Sequence, residues 1–116
     1  MTASDRAVAM AKIVNESALD KLGENIVALD VSIPFALTDI FMFVSARNER
    51  QVVAIADDIE EKLLENKYKL LRKEGKTTAR WILMDYGDMI IHVMHEQERV
   101  FYDIERLWKD APAVKL

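Results

Sequence analysis

The order of apolar segments along the chain predicts an α/β fold, in which about five strands form one mixed sheet with flanking helices. Two observations lead to this prediction. A helical segment over residues 48–66 follows the second strand candidate, and it is long enough to cross the sheet and give a parallel strand pair. Near the C-terminus, the sequence Asp-Tyr-Gly-Asp at residues 85–88 separates two apolar runs and suits a tight turn between antiparallel strands.

The first elements of the chain are predicted to be a helix and a buried strand. Ser4 is a suitable N-cap for a helix that runs to about Leu22, and Gly23 follows as a stop signal. The apolar residues of this segment recur at three- and four-residue spacing, at Val8, Ala11, Val14, Ala18 and Leu22. Residues 26–31 form a short apolar run typical of a buried strand, which Pro34 ends because proline cannot donate to a ladder.

The middle of the chain predicts a second strand and the crossover helix. Residues 40–44 are short, aromatic and β-branched, as in a buried strand. Asn48, followed three residues later by Gln51, forms a capping-box pattern that opens a helix ending near Asn66. The apolar residues of that helix lie on one side, at Val52, Ile55, Ala56, Ile59 and Leu63.

The remaining elements are three strands, a last helix and a tail. We predict a short strand over residues 68–71, a polar loop over residues 73–78, and two strands on either side of Gly87. A final helix is predicted over about residues 97–108. Residues 1–110 are therefore expected to form a single domain, with residues 111–116 as a C-terminal tail.

Composition narrows the class of protein. The 116 residues carry a net charge of −4, which weighs against a protein that holds nucleic acid chiefly through phosphate contacts. The absence of cysteine excludes disulfides, thiolate metal sites and a cysteine nucleophile. No apolar run approaches the roughly 20 residues that a membrane span needs, and the first residues lack the apolar core of a secretion signal. We therefore expect a cytoplasmic protein.

Asp85, Asp88 and His92 resemble an active site, because two carboxylates near an imidazole could bind a divalent metal or transfer protons. Strand alternation places Asp85 on the same face as Trp81 and opposite Tyr86. Asp88 falls in the turn, where aspartate is favoured because its side chain caps backbone amides. His92 stands alone among apolar neighbours, which favours a hydrogen-bonded structural or interface role.

A small metal- or nucleotide-dependent enzyme that uses these three residues is the alternative hypothesis. Enzymes of this kind usually cradle phosphate with a glycine-rich loop, and the three glycines here (Gly23, Gly75 and Gly87) lie far apart. No arrangement of a nucleophile with its base stands out. The residues therefore give the enzyme hypothesis little support.

Trp81 is the strongest candidate for a binding residue. It follows a polar loop and opens a strand, so it lies near the rim of the predicted sheet, where tryptophan is often an interface hot spot. A partly buried core position is the other interpretation. Trp108, predicted to share a helix face with Phe101 and Ile104, is favoured as a packing anchor. The basic residues around Gly75 are too few to define a nucleic-acid site.

A series of short motifs in fixed order resembles the ribosomal silencing factors, the iojap-like family, over about residues 7–110. The matching positions are residues 26–30, Thr38-Asp39, residues 48–55, Glu74-Gly75, Trp81, residues 85–88, residues 91–93, Phe101-Tyr102, Glu105, Leu107-Trp108 and Asp110. Single motifs of this set are common, but their order and spacing together are specific. In one departure from the family pattern, the loop with Ile33, Phe35 and Leu37 is unusually apolar.

The resemblance implies a translational repressor that is not an enzyme and has no catalytic residue, metal or cofactor. This repressor binds the large ribosomal subunit at its intersubunit face through a ribosomal protein. Such a factor sterically blocks joining of the small subunit and so damps translation when nutrients are short. The family pattern implies a partner-binding surface that contains Trp81, Asp85 and Tyr86, with His92 and Met94 as further members. It also implies a sheet related to that of nucleotidyltransferases without their catalytic signature, frequent homodimers, and little direct binding of nucleic acid.

Overall fold

The computed structural model describes residues 2–33, 35 and 37–116. Within these residues, the strands are β1 (Glu24–Asp30), β2 (Ile40–Ala46), β3 (Arg72–Glu74), β4 (Trp81–Asp85) and β5 (Met89–His95). The helices are α1 (Asp5–Asp20), α2 (Glu49–Glu65) and α3 (Glu96–Tyr102), and a 3-10 helix (Ile104–Trp108) follows α3. None of the helices in the described ranges has the length and apolarity that a membrane span requires.

The five strands form one mixed sheet in the order β1-β2-β5-β4-β3. β2 and β5 are parallel, whereas β1–β2, β3–β4 and β4–β5 are antiparallel. The chain leaves β2 through α2, crosses to the far edge of the sheet at β3, and returns through β4 to β5. This topology confirms the predicted α/β fold, its parallel pair and its antiparallel turn at Gly87.

Helices α1 and α2 cover one face of the sheet, which we call the helix face. Their N-caps are those expected: the Ser4 hydroxyl accepts from the Ala7 amide at 3.1 Å, and the Asn48 side chain accepts from the Gln51 amide at 2.8 Å. Gln51 Oε1 accepts from the Arg47 amide at 2.7 Å, one residue earlier than a capping box predicts. The apolar faces of both helices are buried against the sheet, where they meet Ile82 and Met84 of β4 and Tyr86, the residue after β4.

Two elements differ from the sequence prediction. The strand predicted over residues 68–71 is wrong: Tyr68 and Leu70 pack against the helix-face core without ladder bonds to β4, and the strand is instead Arg72–Glu74, whose last two residues were predicted to be in the polar loop. The last helix is also shorter than predicted. It ends at Tyr102 because Asp103 adopts a left-handed conformation with φ of 45°, and a 3-10 helix continues in a new direction. Phe101 is consequently exposed and does not share a packing face with Trp108.

The segment after the 3-10 helix lies along β1. Ala113 forms a bridge with Leu29, the Asp30 amide donates to the Pro112 carbonyl at 2.8 Å, and the Val114 amide donates to the Ala28 carbonyl at 2.8 Å. These bonds satisfy polar groups on the outer edge of β1.

The apolar residues of the loop after β1 differ in their exposure to solvent. Phe35 packs against Phe41 and Trp108, with ring centroids 5.5 Å apart in both pairs. Ile33 and Leu37 are exposed. Pro34, which was predicted to end the strand, lies outside the described residues. Trp108 is a packing anchor, as expected, because its indole also lies 5.1 Å from the ring of Phe41.

Candidate partner-binding surface

The face of the sheet opposite the helices is only partly covered. Its buried hydrophobic residues are Val31, Phe41, Phe43 and Met94, and α3 with the 3-10 helix packs over part of this cluster. Trp81 is the first residue of β4 and lies directly opposite Met94 of β5. Its side chain is half-buried, at the border between the covered part of the face and the open part.

A buried histidine holds the indole of Trp81. Trp81 Nε1–H donates to His92 Nδ1 at 3.0 Å. The His92 ring stacks on Phe43 at a centroid distance of 4.8 Å and an angle of 8°, and Phe41 meets it edge-on at 5.6 Å. Because Nδ1 accepts a hydrogen bond, His92 is neutral and carries its proton on Nε2. Burial lowers the pKa of His92 to about 4, which keeps it neutral at physiological pH.

The rim of the surface is formed by α3 and by the loop before β4. Tyr102, which is 50% exposed, lies with its ring 5.1 Å from that of Trp81. Both residues line a cleft of about 430 Å³, together with Glu74, Gly75, Thr78, Arg80, Leu83 and Glu98. The Arg80 guanidinium lies 3.0 Å from Glu98 and 2.9 Å from Glu49, and so ties the start of β4 to α2 and α3.

Gly75 brings the preceding loop onto the backbone of Trp81. Its φ is +89°, and a Cβ at this position would lie 1.9 Å from the Trp81 carbonyl oxygen. Only glycine tolerates this approach and this conformation together. The Glu74-Gly75 motif therefore fixes the position at which β4, and with it Trp81, begins.

The other predicted surface residues occupy different depths. Asp85 lies on the same face as Trp81, and its Oδ1 accepts from the Gly87 amide at 2.8 Å. Tyr86 lies on the helix face and is 4% exposed; its burial raises the pKa of the phenol. Met94 is 1% exposed beneath the aromatic cluster. Trp81 and Asp85 thus present side chains outward, whereas Tyr86, His92 and Met94 lie below the surface.

The sequence matches the model of the family described as "Ribosomal silencing factor during starvation" over residues 4–116. The chain belongs to this family. The match confirms the resemblance drawn from the motifs, and it includes the C-terminal segment that pairs with β1.

Individual members of the ribosomal silencing factor family agree in sequence and in fold. The ribosomal silencing factor of Halalkalibacterium halodurans is 40% identical over 97 residues, which are 84% of this chain and 83% of the relative. That of Bacillus subtilis is 39% identical over 105 residues, which are 90% of this chain and 89% of the relative. A crystal structure of a Chromobacterium violaceum protein superposes with a TM-score of 0.85 at 34% identity, covering 87% of this chain and 84% of that one.

Asp85, Asp88 and His92, on which the alternative enzyme hypothesis depends, make other contacts in this fold. The Asp88 carboxylate lies 3.0 Å from the Arg6 guanidinium, and the capping of turn amides expected of Asp88 is performed by Asp85. His92 is engaged by Trp81 through Nδ1 and is buried. Within residues 2–33, 35 and 37–116, no group of three His, Asp or Glu side chains could hold a metal ion. The family name indicates a regulatory factor.

Sequence reasoning missed the residue that locks α3 onto the sheet. Arg99 forms a bidentate pair with Glu105 at 2.7 and 3.1 Å, and it donates to Ser45 Oγ at 2.9 Å and to the Asn25 carbonyl. No local signal identifies this role, because Ser45 and Asn25 precede Arg99 by 54 and 74 residues. Tyr102 did carry a signal, since it belongs to the Phe101-Tyr102 motif of the family.

Proposed function

We propose that this protein binds the large ribosomal subunit at its intersubunit face, through a ribosomal protein, and blocks joining of the small subunit. Translation in the cytoplasm is thereby damped when nutrients are limiting. Membership of the silencing factor family supports this proposal. The structural observation that carries it is Trp81, a half-buried tryptophan held by a buried histidine on an incompletely covered sheet face.

The geometry of Trp81 suits an interface anchor. Aromatic side chains supply large contact area, and tryptophan is enriched among the residues that dominate binding energy. Binding is weakened by the entropy of ordering side chains at the interface. Because the hydrogen bond to His92 already orients the indole, little of that entropy remains to be lost when a partner binds. The ribosomal protein supplies most of the contact, and RNA little.

Charge complements this apolar anchor. The protein has a net charge of −4, and ribosomal proteins that lie on RNA are commonly basic. Opposite charges accelerate encounter and orient the partners more than they raise final affinity. Asp85 presents a carboxylate on the same sheet face as Trp81, and we assign it this orienting role.

The free protein is proposed to form homodimers, as the family resemblance implies. Three exposed apolar residues of the α3 region lie next to the Trp81 cleft: Val100, Phe101 and Leu107. A second copy seated there would cover apolar surface that is otherwise in water.

Density-gradient sedimentation with purified ribosomal subunits tests the function. We expect the wild-type protein to travel with the large subunit and to reduce the joined-ribosome peak. Trp81→Ala should keep the fold and lose affinity for the large subunit by about 30-fold or more, as truncation of a hot-spot residue does. Leu64→Ala is the control, because Leu64 is 63% exposed on α2 at the helix face, and binding should not change.

Other outcomes have distinct meanings. Global unfolding of Trp81→Ala, seen by circular dichroism, would support the core interpretation of Trp81. Retention of full binding by a folded Trp81→Ala protein would remove it from the interface. If the wild-type protein stays at the top of the gradient and subunits join normally, the proposal fails. Calorimetric titration with Mg²⁺ and nucleotides would then test the enzyme hypothesis for Asp85, Asp88 and His92.

A further inference from the structure

The cationic side chains of this acidic protein are concentrated at one edge of the sheet. Residues 67–76, which contain β3 and the segments on both sides of it, hold five of the 16 Lys and Arg residues but only one of the 20 Asp and Glu residues. The rest of the chain therefore has 11 cationic and 19 acidic residues. We call residues 67–76 the basic edge.

Three lysines of the basic edge are exposed and form no ion pair among the described residues. The Lys73 amine is engaged on the helix face, 2.9 Å from Glu60 and 3.3 Å from Asp57, and Arg72 lies 3.0 Å from Glu74. Lys67, Lys69 and Lys76 are exposed. Among the described residues, no carboxylate lies within 4.0 Å of any of these three amines.

The basic edge adjoins the Trp81 surface. β3 pairs with β4 so that Arg72 lies opposite Asp85 and Glu74 opposite Leu83, which places both on the Trp81 face. Lys76 follows directly after Gly75, the residue in contact with the Trp81 backbone. At the other end of the basic edge, Tyr68 and Leu70 pack toward the helix-face core and leave Lys69 between them in solvent. A partner that covers the face from Trp81 to Asp85 therefore has Lys76 beside its Trp81 end, and the segment with Lys67 and Lys69 leads away from its Asp85 end.

We infer that Lys67, Lys69 and Lys76 contact RNA phosphates of the large subunit while the Trp81 surface binds its ribosomal protein. The inference rests on the proposed function, because a net acidic protein holds RNA weakly without another contact. Once Trp81 is bound, the lysines meet nearby phosphate at a high effective concentration, so a few weak contacts add affinity. Lysine meets phosphate as a point charge, without reading sequence.

The salt dependence of binding to intact large subunits tests the inference. The test variant is Lys67→Gln/Lys69→Gln/Lys76→Gln, and the control is Lys12→Gln/Lys21→Gln/Lys115→Gln, which removes the same charge from exposed lysines elsewhere. Kd is measured by fluorescence anisotropy over 50–200 mM KCl at constant Mg²⁺. Each lost phosphate contact lowers the slope of log K against log salt by about 0.7–1, so the test variant should lose about 2–3. Between 50 and 200 mM KCl, the affinity of the test variant should thus fall about 15- to 65-fold less than that of the wild-type protein.

Each result decides one point. A reduced slope for the test variant, with the wild-type slope for the control, supports the inference. Equal slopes for all three proteins, or the same reduction in both variants, would overturn it while leaving the proposed function intact. Failure of the wild-type protein to bind large subunits at all would instead overturn the proposed function, and the inference with it. Thermal melting of both variants verifies that they are folded.

Discussion

Trp81 and His92 form a pair in which the buried imidazole fixes the orientation of the indole. The hydrogen bond between them requires neutral imidazole, and His92 Nε2 is buried with no partner among the described residues. An unpaired buried donor costs about 1–3 kcal/mol. Stacking on Phe43 and edge contact with Phe41 offset part of this cost, since such aromatic pairs contribute about 0.5–1.5 kcal/mol each. The one side-chain hydrogen bond of His92 among the described residues is the one that orients Trp81.

The buried histidine predicts a pH dependence of stability. Its pKa of about 4 in the fold lies below the ordinary value of about 6.5, so the unfolded chain binds more protons between these values. The contribution of His92 to the free energy of unfolding is therefore fully present above pH 6.5, and it is lost as the pH falls toward 4. Urea unfolding should show a loss of about 2 kcal/mol from this site between pH 7 and pH 5.

His92→Phe isolates this effect, because phenylalanine keeps the aromatic stack and cannot be protonated. We expect the decline between pH 7 and pH 5 to shrink by that amount in His92→Phe. His95→Asn removes the other histidine while keeping an N-cap for α3, and it should retain the decline of the wild-type protein. An unchanged decline in His92→Phe would show that His92 is not the group that titrates.

Among the elements, the two outer strands of the sheet are protected in different ways. β3 is three residues long and flanked by lysines, which discourages pairing with another chain. β1 has seven residues, and its outer edge is covered by the C-terminal segment through two backbone hydrogen bonds and the packing of Val114. The last residues of the chain thus complete the sheet.

Deleting residues 112–116 should destabilise the protein and expose a pairing edge. Loss of two hydrogen bonds and of the Val114 contacts should lower the free energy of unfolding by about 1–3 kcal/mol. The uncovered β1 edge should promote self-association, visible by light scattering. Val114→Ala keeps the backbone bonds, so it should lose less stability and stay as dispersed as the wild-type protein. Unchanged unfolding and scattering after the deletion would contradict this role.

At the scale of the whole molecule, the dimensions of the protein are compatible with the proposed steric exclusion of the small subunit. Its principal extents are 37 × 33 × 22 Å, with a Cα radius of gyration of 12.8 Å. If the protein binds the intersubunit face as proposed, a domain of this thickness keeps the two subunits apart. Occlusion of this kind depends on the fraction of subunits occupied and not on any turnover.

Occlusion predicts a stoichiometric effect. Titrating the protein into large subunits before adding small subunits should reduce joining linearly, with an endpoint near one protein per large subunit when both exceed Kd. Analytical centrifugation of the joined and separate species measures this endpoint. An enzyme that acts repeatedly would instead abolish joining when far fewer than one protein is present per large subunit. A requirement for nucleotide would also indicate an enzyme.

Much of the fold follows from short-range patterns in the sequence. Ser4 and Asn48 cap their helices because a side-chain oxygen meets an amide three residues later. The inward positions of Ile82, Met84 and Tyr86 follow from the two-residue period of a strand. The order and spacing of the motifs are enough to indicate the family. These features need only information from neighbouring residues, which a sequence carries directly.

Tertiary structure decided the features whose partners are distant along the chain. Asp88 meets Arg6 across 82 residues, and Arg99 meets Asn25 across 74, so neither contact has a local pattern. The left-handed Asp103, which ends α3, redirects the chain so that Trp108 reaches Phe41 in β2. The exposure of Trp81 likewise depends on how far α3 covers the sheet. These contacts form only when several elements pack together, because each one joins segments that are far apart in the sequence. No single segment therefore specifies them.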